Sequence, residues 1–261
     1  MWRRVGQPIL DAAVPLLAFA AIWEITVRLA GLPPKLFPPV GAVLVRAWRL
    51  LGSGILWQHA GATLGRLLVG FAMAGLIGIV VGLAMGRSRR VEEFCLPLLS
   101  VLMPIPALAW VPLFILWFGL GDVPTILLVG FAAAIPIASN VWTGVRGVKE
   151  IWIRAATIMD VSGPELFRKV VLPGAMPAVL AGLRIGMGRA WPAVVAGEMI
   201  AATRSGLGWM IFASREFLNT DVMFVGIGVV GLVGLLLERV AFQRLEDKTL
   251  ARWGMLSEAA G

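Results

Sequence analysis

Long uncharged stretches alternate with short charged ones along this chain. Leu67 to Gly86, Phe94 to Gly121, Val123 to Val145 and Val222 to Leu237 hold no charged side chain. A helix needs about 20 mostly apolar residues to cross a bilayer. The pattern predicts six spans, near residues 12–31, 64–86, 94–119, 123–145, 180–202 and 222–242. The first is interrupted by Glu24 and Arg28, the fifth by Arg184, Arg189 and Glu198. Strands of a membrane barrel would alternate apolar and polar residues in short segments. These runs do not alternate. The expected fold is all-α, a polytopic membrane protein, with residues 1–261 forming a single membrane domain.

The segment between the first two spans opens with Pro33, Pro34, Pro38 and Pro39, which stop a helix and favour extended backbone. Val40 to Leu51 then places apolar residues at 43, 44, 47, 48, 50 and 51, with Arg46 and Arg49 elsewhere. This predicts an amphipathic helix along the external interface, with Trp48 and Trp57 at headgroup level. In the second span Gly78, Gly82 and Gly86 recur on one face. Small residues at that spacing let helices approach closely in lipid. The third span carries Pro97, Pro104, Pro106 and Pro112, each removing a backbone donor and kinking the helix. Carbonyls freed in this way must be buried in protein or face water. Pro104, Pro106 and Trp110 are therefore expected to face the interior, against a pathway or a partner copy, as are Arg189 and Glu198 of the fifth span.

Composition narrows the function classes. Hydrophobic residues make up 59% of the chain, charged residues 15%, and mean hydropathy is +0.89. A soluble domain would be about 45–50% apolar and about 25% charged. One cysteine, Cys95, excludes an internal disulfide, and the single His59 cannot build a metal site alone. No nucleophile–base signature and no paired carboxylates at catalytic spacing occur, so no enzymatic activity is expected. The net charge of +8 reads as topology rather than nucleic-acid binding. With the N-terminus inside, the cytoplasmic segments collect Arg3, Arg4, Arg87, Arg89, Arg90, Arg146, Lys149, Arg154, Arg168, Lys169, Arg239, Arg244, Lys248 and Arg252. The external ones hold Lys35, Arg46, Arg49, Arg204 and Arg215. Basic residues favour the cytoplasmic side, so both termini are expected there. Arg3 and Arg4 precede an apolar run and Ala18-Phe19-Ala20 resembles a cleavage site, but the apolar pattern resumes past Glu24. The reading is an uncleaved first helix.

Residues 154–173 break the apolar pattern. They read Arg-Ala-Ala-Thr-Ile-Met-Asp-Val-Ser-Gly-Pro-Glu-Leu-Phe-Arg-Lys-Val-Val-Leu-Pro. If helical, the second half puts Leu166, Phe167 and Val170 on one side, a shape that fills a partner's groove. Carboxylates within spans open a rival reading, an ion-coupled secondary transporter relaying protons or ions through Glu24 and Glu198. Against it, Glu24 and Arg28 are spaced to pair on one helix, and no inverted repeat is visible. A membrane-anchored assembly protein would leave the polar segment unexplained. Glu198 itself has two readings, a place on the pathway or a pairing with Arg189 or Arg184.

The polar segment resembles the EAA motif of the membrane subunits of bacterial ABC importers. Ala155, Ala156, Val170, Leu172 and Pro173 fall at the motif's offsets, while Arg154 replaces its Glu and Asp160 its Gly. The Gly permits a tight turn, and Asp enters positive φ more readily than most residues. The likeness extends along the chain to the nitrate/sulfonate/taurine permease family. It is carried by Leu36-Phe37-Pro38-Pro39, by His59-Ala60-x2-Thr63-Leu64-x-Arg66, and by Pro104-Ile105-Pro106-Ala107-Leu108-Ala109-Trp110-Val111-Pro112-Leu113. Leu116-Trp117-Phe118-Gly119, Gly182-Leu183-Arg184, Glu198-Met199 and Gly206-Leu207-Gly208 continue it.

The resemblance implies a type I importer permease in a bacterial inner membrane, working as a homodimer. Its partners would be two ATP-binding ATPase subunits and an external solute-binding protein delivering a small anionic solute. Arg154, Ala155, Ala156, Asp160, Gly163, Leu166, Phe167, Arg168 and Pro173 would couple the chain to the ATPase, with Pro173 and Pro177 as hinges beside a short link. The chain has no Gly-x4-Gly-Lys-Ser/Thr loop; Gly144-Val145-Arg146-Gly147-Val148-Lys149 has the wrong spacing. No cofactor is expected on this chain, ATP being bound by the partner ATPase.

Overall fold

Helix is the only regular structure among the described residues. A computed structural model describes residues 3–239, with side chains from residue 14 onward except at 16. Positions 240–242 of the sixth predicted span lie outside the described residues, as do Arg244, Lys248, Arg252 and the side chains of Arg3 and Arg4. The helices are α1 (Arg3–Leu29), α2 (Val40–Gly52), α3 (Ile55–Arg87), α4 (Arg89–Leu102), α5 (Val111–Phe118), α6 (Asp122–Arg146) and α7 (Glu150–Ile158). They continue with α8 (Gly163–Leu166), α9 (Leu172–Ala201), α10 (Leu207–Ser214) and α11 (Thr220–Leu236).

Among the described residues, four continuous helices are long and apolar enough to cross a membrane: Ile55–Arg87, Asp122–Arg146, Gly163–Ala201 and Thr220–Arg239. The first predicted span, 12–31, overlaps α1, which is not one of these four. The third departs from expectation. It is not one kinked helix but two, α4 and the stretch Ala107–Phe118, which meet at 91°. Pro104 and Pro106 sit in the break and cannot supply the N–H groups that would carry the helix through. Pro97 and Pro112 lie inside or at the start of helices and break nothing.

The fifth span also differs. Its helix begins at Gly163, inside the segment read as a separate polar element, and runs unbroken to Ala201. Pro173 and Pro177 therefore flank no separate link. A widened π turn at Phe167–Val171 precedes Pro173. In a regular helix the Pro173 ring would meet the carbonyl of Lys169, and the wider turn accommodates it.

The core is a sheaf of α3, α6 and α9, packed through Leu67, Ala74, Val129, Ala133, Ile137, Val141, Val179 and Val194. Lipid tails are as apolar as leucine, so close packing rather than exclusion of water drives such contacts. Glycine makes them possible. A Cβ at Gly78 would stand 2.8 Å from Ile137 Cβ, and one at Gly82 would stand 2.6 Å from the Ala138 carbonyl oxygen. From α9, a Cβ at Gly186 would lie 2.7 Å from Cγ1 of the same Ile137.

A second cluster joins α2, α10, α11 and the start of α3 through Val43, Ala47, Leu50, Leu56, Leu207, Met210 and Val225. The amphipathic α2 thus divides its apolar residues. Three face protein, while Leu44 and Trp48 stay exposed. Arg46 ties α2 to Asp221 of α11 at 2.6 Å. Glu24 bonds Arg28 at 2.7 Å and accepts the Val40 N–H at 2.7 Å, where the first turn of α2 has unpaired donors. This carboxylate fastens one helix to the next.

Candidate functional site

Three places gather the candidate residues. The first is a buried polar knot where α3 meets the chain just beyond α9. His59, Thr63 and Arg66 recur at four- and three-residue spacing, so they share one face of α3. That face meets Glu198 and the loop 205–208. Glu198 is wholly buried. Its Oε1 accepts from Arg66 Nη1 at 2.6 Å, and its Oε2 lies 2.9 Å from Thr63 Oγ1 and 3.0 Å from the Gly208 N–H. Arg66 also bonds Asp122 Oδ1 through Nε at 2.8 Å and donates to the Ser205 carbonyl at 2.7 Å. Thr63 Oγ1 accepts the Leu207 N–H at 2.8 Å. His59 Nδ1 accepts the Gly206 N–H at 3.1 Å, and the ring stacks on Trp209. The imidazole proton therefore sits on Nε2.

Gly206 and Gly208 let the backbone close on the carboxylate, since a Cβ at either would collide with Glu198. This corrects the expectation for Glu198. It pairs with Arg66, not with Arg189 or Arg184, and it does not line the cavity described next. Arg184 reaches Glu238 instead, at 3.4 Å. The ion-relay reading loses both of its carboxylates: Glu24 fastens α1 to α2, and Glu198 is saturated and enclosed. Sequence reasoning missed Arg66 as the partner, although its register with His59 and Thr63 marks one helix face.

The second place is a cavity of about 560 Å³ at the break between α4 and α5. Residues 102–108 form one wall, residues between 128 and 136 of α6 another, and residues between 189 and 196 of α9 the third. Pro104, Pro106 and Arg189 thus line one cavity. Trp110 stands behind the wall, with its ring 5.1 Å from that of Phe131, a lining residue. Among the described residues, Arg189 is the one charged residue lining this cavity.

The third place is the polar segment. α7 carries Arg154, paired with Glu150 at 2.7 Å, and Ala155 and Ala156. Asp160 adopts φ +61° and Gly163 φ +58°, so the turn between α7 and α8 forms with Asp where the motif has Gly. Leu166 and Phe167 are half-buried. They line a hollow with Val145, Val148 and Ile153, and Arg87 lies over the Phe167 ring at 5.3 Å. Arg168 is exposed and Pro173 half-buried. The large apolar side chains that this segment exposes are Ile151, Trp152, Ile158 and Met159, the last two 87% and 78% exposed.

Residues 74–249 match the family described as binding-protein-dependent transport system inner membrane component. The chain is 40% identical over 228 residues to the taurine transport system permease protein TauC of Escherichia coli, spanning 85% of this chain and 82% of that one. It is 34% identical over 233 residues to the putative aliphatic sulfonates transport permease protein SsuC of Bacillus subtilis, spanning 89% and 83%. Among solved structures, a chain from inward facing conformations of the MetNI methionine ABC transporter superposes with a TM-score of 0.64 at 20% identity. That match covers 75% of this chain and 96% of the other, and shows a shared fold. The chain belongs to the binding-protein-dependent inner-membrane component family. It is a non-catalytic permease subunit of an ABC transporter, as the motif resemblance implied, and it serves with an ATPase and a binding protein.

Proposed function

We propose that this permease forms, as a homodimer, the inner-membrane route for a small solute bearing an anionic group, of the sulfonate or taurine kind, handed over by an external binding protein. The observation that carries this is the cavity at the broken span. It has apolar walls, one guanidinium and a volume of about 560 Å³, within the range of about 300–1,000 Å³ usual for small-molecule sites. The names of the taurine and sulfonate relatives support the solute class. The whole chain acts as one membrane domain.

Two ATPase subunits bind and hydrolyse ATP, and this chain holds no cofactor. Both termini face the cytoplasm. The turn at 159–162 then lies on the ATPase side, and the knot around Glu198 lies toward the outside. Ile158 and Met159 supply the apolar contact of the coupling surface, with Arg154, Ala155, Ala156 and Arg168 around it. Asp160 and Gly163 shape the turn. Leu166, Phe167 and Pro173 form the base that carries its motion into α9.

The test is reconstitution with the cognate ATPase and binding protein in liposomes, with taurine and an alkanesulfonate as solutes. Uptake that requires ATP and survives collapse of the ion gradients is expected. Uptake that follows a proton gradient without ATP would overturn the reading. A cysteine at Ser162 should label from the cytoplasmic side and one at Ser53 from outside.

A further inference from the structure

We infer that Arg189 is a charge filter inside the permease, a specificity-determining residue that admits anions and holds back cations independently of the binding protein. The inference rests on the reading that the cavity belongs to the solute's route.

Arg189 lies twelve residues before the end of α9 and seventeen after its start. At about 1.5 Å per residue it stands roughly 18 and 25 Å from the two ends. A charge at such a depth is costly unless it faces protein partners or water. The other charged residues of α9 have partners: Arg184 has Glu238 and Glu198 has Arg66. Arg189 has no hydrogen bond or ion pair among the described residues. It opens into the cavity, where no carboxylate lines the wall to neutralise it.

A cleft carrying one sign of charge between low-dielectric walls concentrates the opposite sign. A guanidinium also offers paired N–H donors that match two oxygens of a sulfonate or carboxylate. The remaining lining, including Ile105, Leu128, Phe131 and Ile135, is apolar and offers no competing charge.

The experiment uses the permease–ATPase complex in liposomes, with Cys95→Ala and a reporter, Ala193→Cys. Ala193 lines the same cavity one helical turn beyond Arg189. The probes are two thiol reagents of similar size, 2-sulfonatoethyl methanethiosulfonate and 2-(trimethylammonio)ethyl methanethiosulfonate. The ratio of anionic to cationic modification rates should fall about tenfold or more on Arg189→Gln, in keeping with the effect of a charged cleft on local ion concentration. Arg189→Lys should largely restore it, because the charge is kept. Should Arg189→Gln fail to assemble, the Arg189 protein carries the test: propane-1-sulfonate should slow modification by a neutral reagent and propylammonium should not. Reaction at position 193 with a ratio unmoved by Arg189→Gln, or with no protection by the sulfonate, would overturn the filter and leave the route standing. No reaction with either reagent would remove the route itself, and the filter with it.

Discussion

Arg66 and Arg189 both stand on long apolar helices, and their surroundings are opposite. Arg66 is 6% exposed and spends its donors on Glu198, Asp122 and Ser205. Arg189 faces an open cavity and makes no such bond among the described residues. Burying an ion pair costs desolvation, which good geometry and extra hydrogen bonds repay. The knot around Arg66 meets that condition, and so it holds α3, α9 and the loop 205–208 in place. An arginine left without partners in the same kind of helix contributes nothing to that hold and is available to a ligand. Identical side chains on neighbouring helices thus divide into structure and function according to whether the protein has already used their hydrogen bonds.

The sharpest way to break this contrast is at Glu198. Glu198→Ala would leave buried Arg66 with Asp122 as its one carboxylate partner among the described residues and empty the cradle at Gly206 and Gly208. Removing one partner of a buried pair costs about 3–5 kcal/mol. We expect a large loss of folded complex and a lowered unfolding temperature in detergent. Unchanged melting with normal uptake would strip the knot of its structural role.

The next largest effect is expected where glycine sets helix spacing. Gly82→Ala should cost about 1–3 kcal/mol by overpacking against α6. Gly188→Ala, one residue from Arg189, should not, since an added Cβ there meets nothing within 4 Å. Thermal unfolding of the two variants side by side checks the difference.

At the polar segment, Phe167→Ala should destabilise the base of α9 by about 1–2 kcal/mol, less than the 3–5 kcal/mol of a fully buried aromatic. Met159→Ala should leave melting unchanged and weaken retention of the ATPase on a tagged permease. If Phe167→Ala sheds the ATPase without altering stability, the anchor is Phe167 and not the tip of the turn.

The effect on stability is also expected to be small for Arg189→Gln. It should change folding by no more than about 0.5 kcal/mol, as for a surface position away from packing features. A melting loss as large as that of Glu198→Ala would place Arg189 among the structural arginines and end the comparison.

Much of the architecture was legible from local pattern. The fourth span, expected at 123–145, is a helix at 122–146, because an unbroken apolar run between Asp122 and Arg146 leaves little freedom in its ends. The helix of Val40–Gly52 follows from its periodicity, and the positive φ of Asp160 from the turn its motif demands. The third span was only half legible. Prolines announce a disturbance, but whether the chain kinks or turns through 91° depends on what packs behind it. The inward seat of Phe167 was not legible either. An amphipathic stripe says which residues share a face, not whether the chain's own Val145 and Val148 or a partner will cover it.

By itself the sequence determined the class of solvent this protein lives in, its helical nature, its family and the positions where chemistry could reside. Those follow from composition and short-range spacing, which act over one or two helical turns. The tertiary structure alone decided which charges were already satisfied. Glu198 and Arg66 lie 132 positions apart, and neither charge tolerates burial without the other. Arg189 lies much nearer to Glu198 in sequence, yet the fold turns it toward the cavity, on a different face of the same helix. Pairing at that range depends on how helices pack, and so on the glycines that fix their separation.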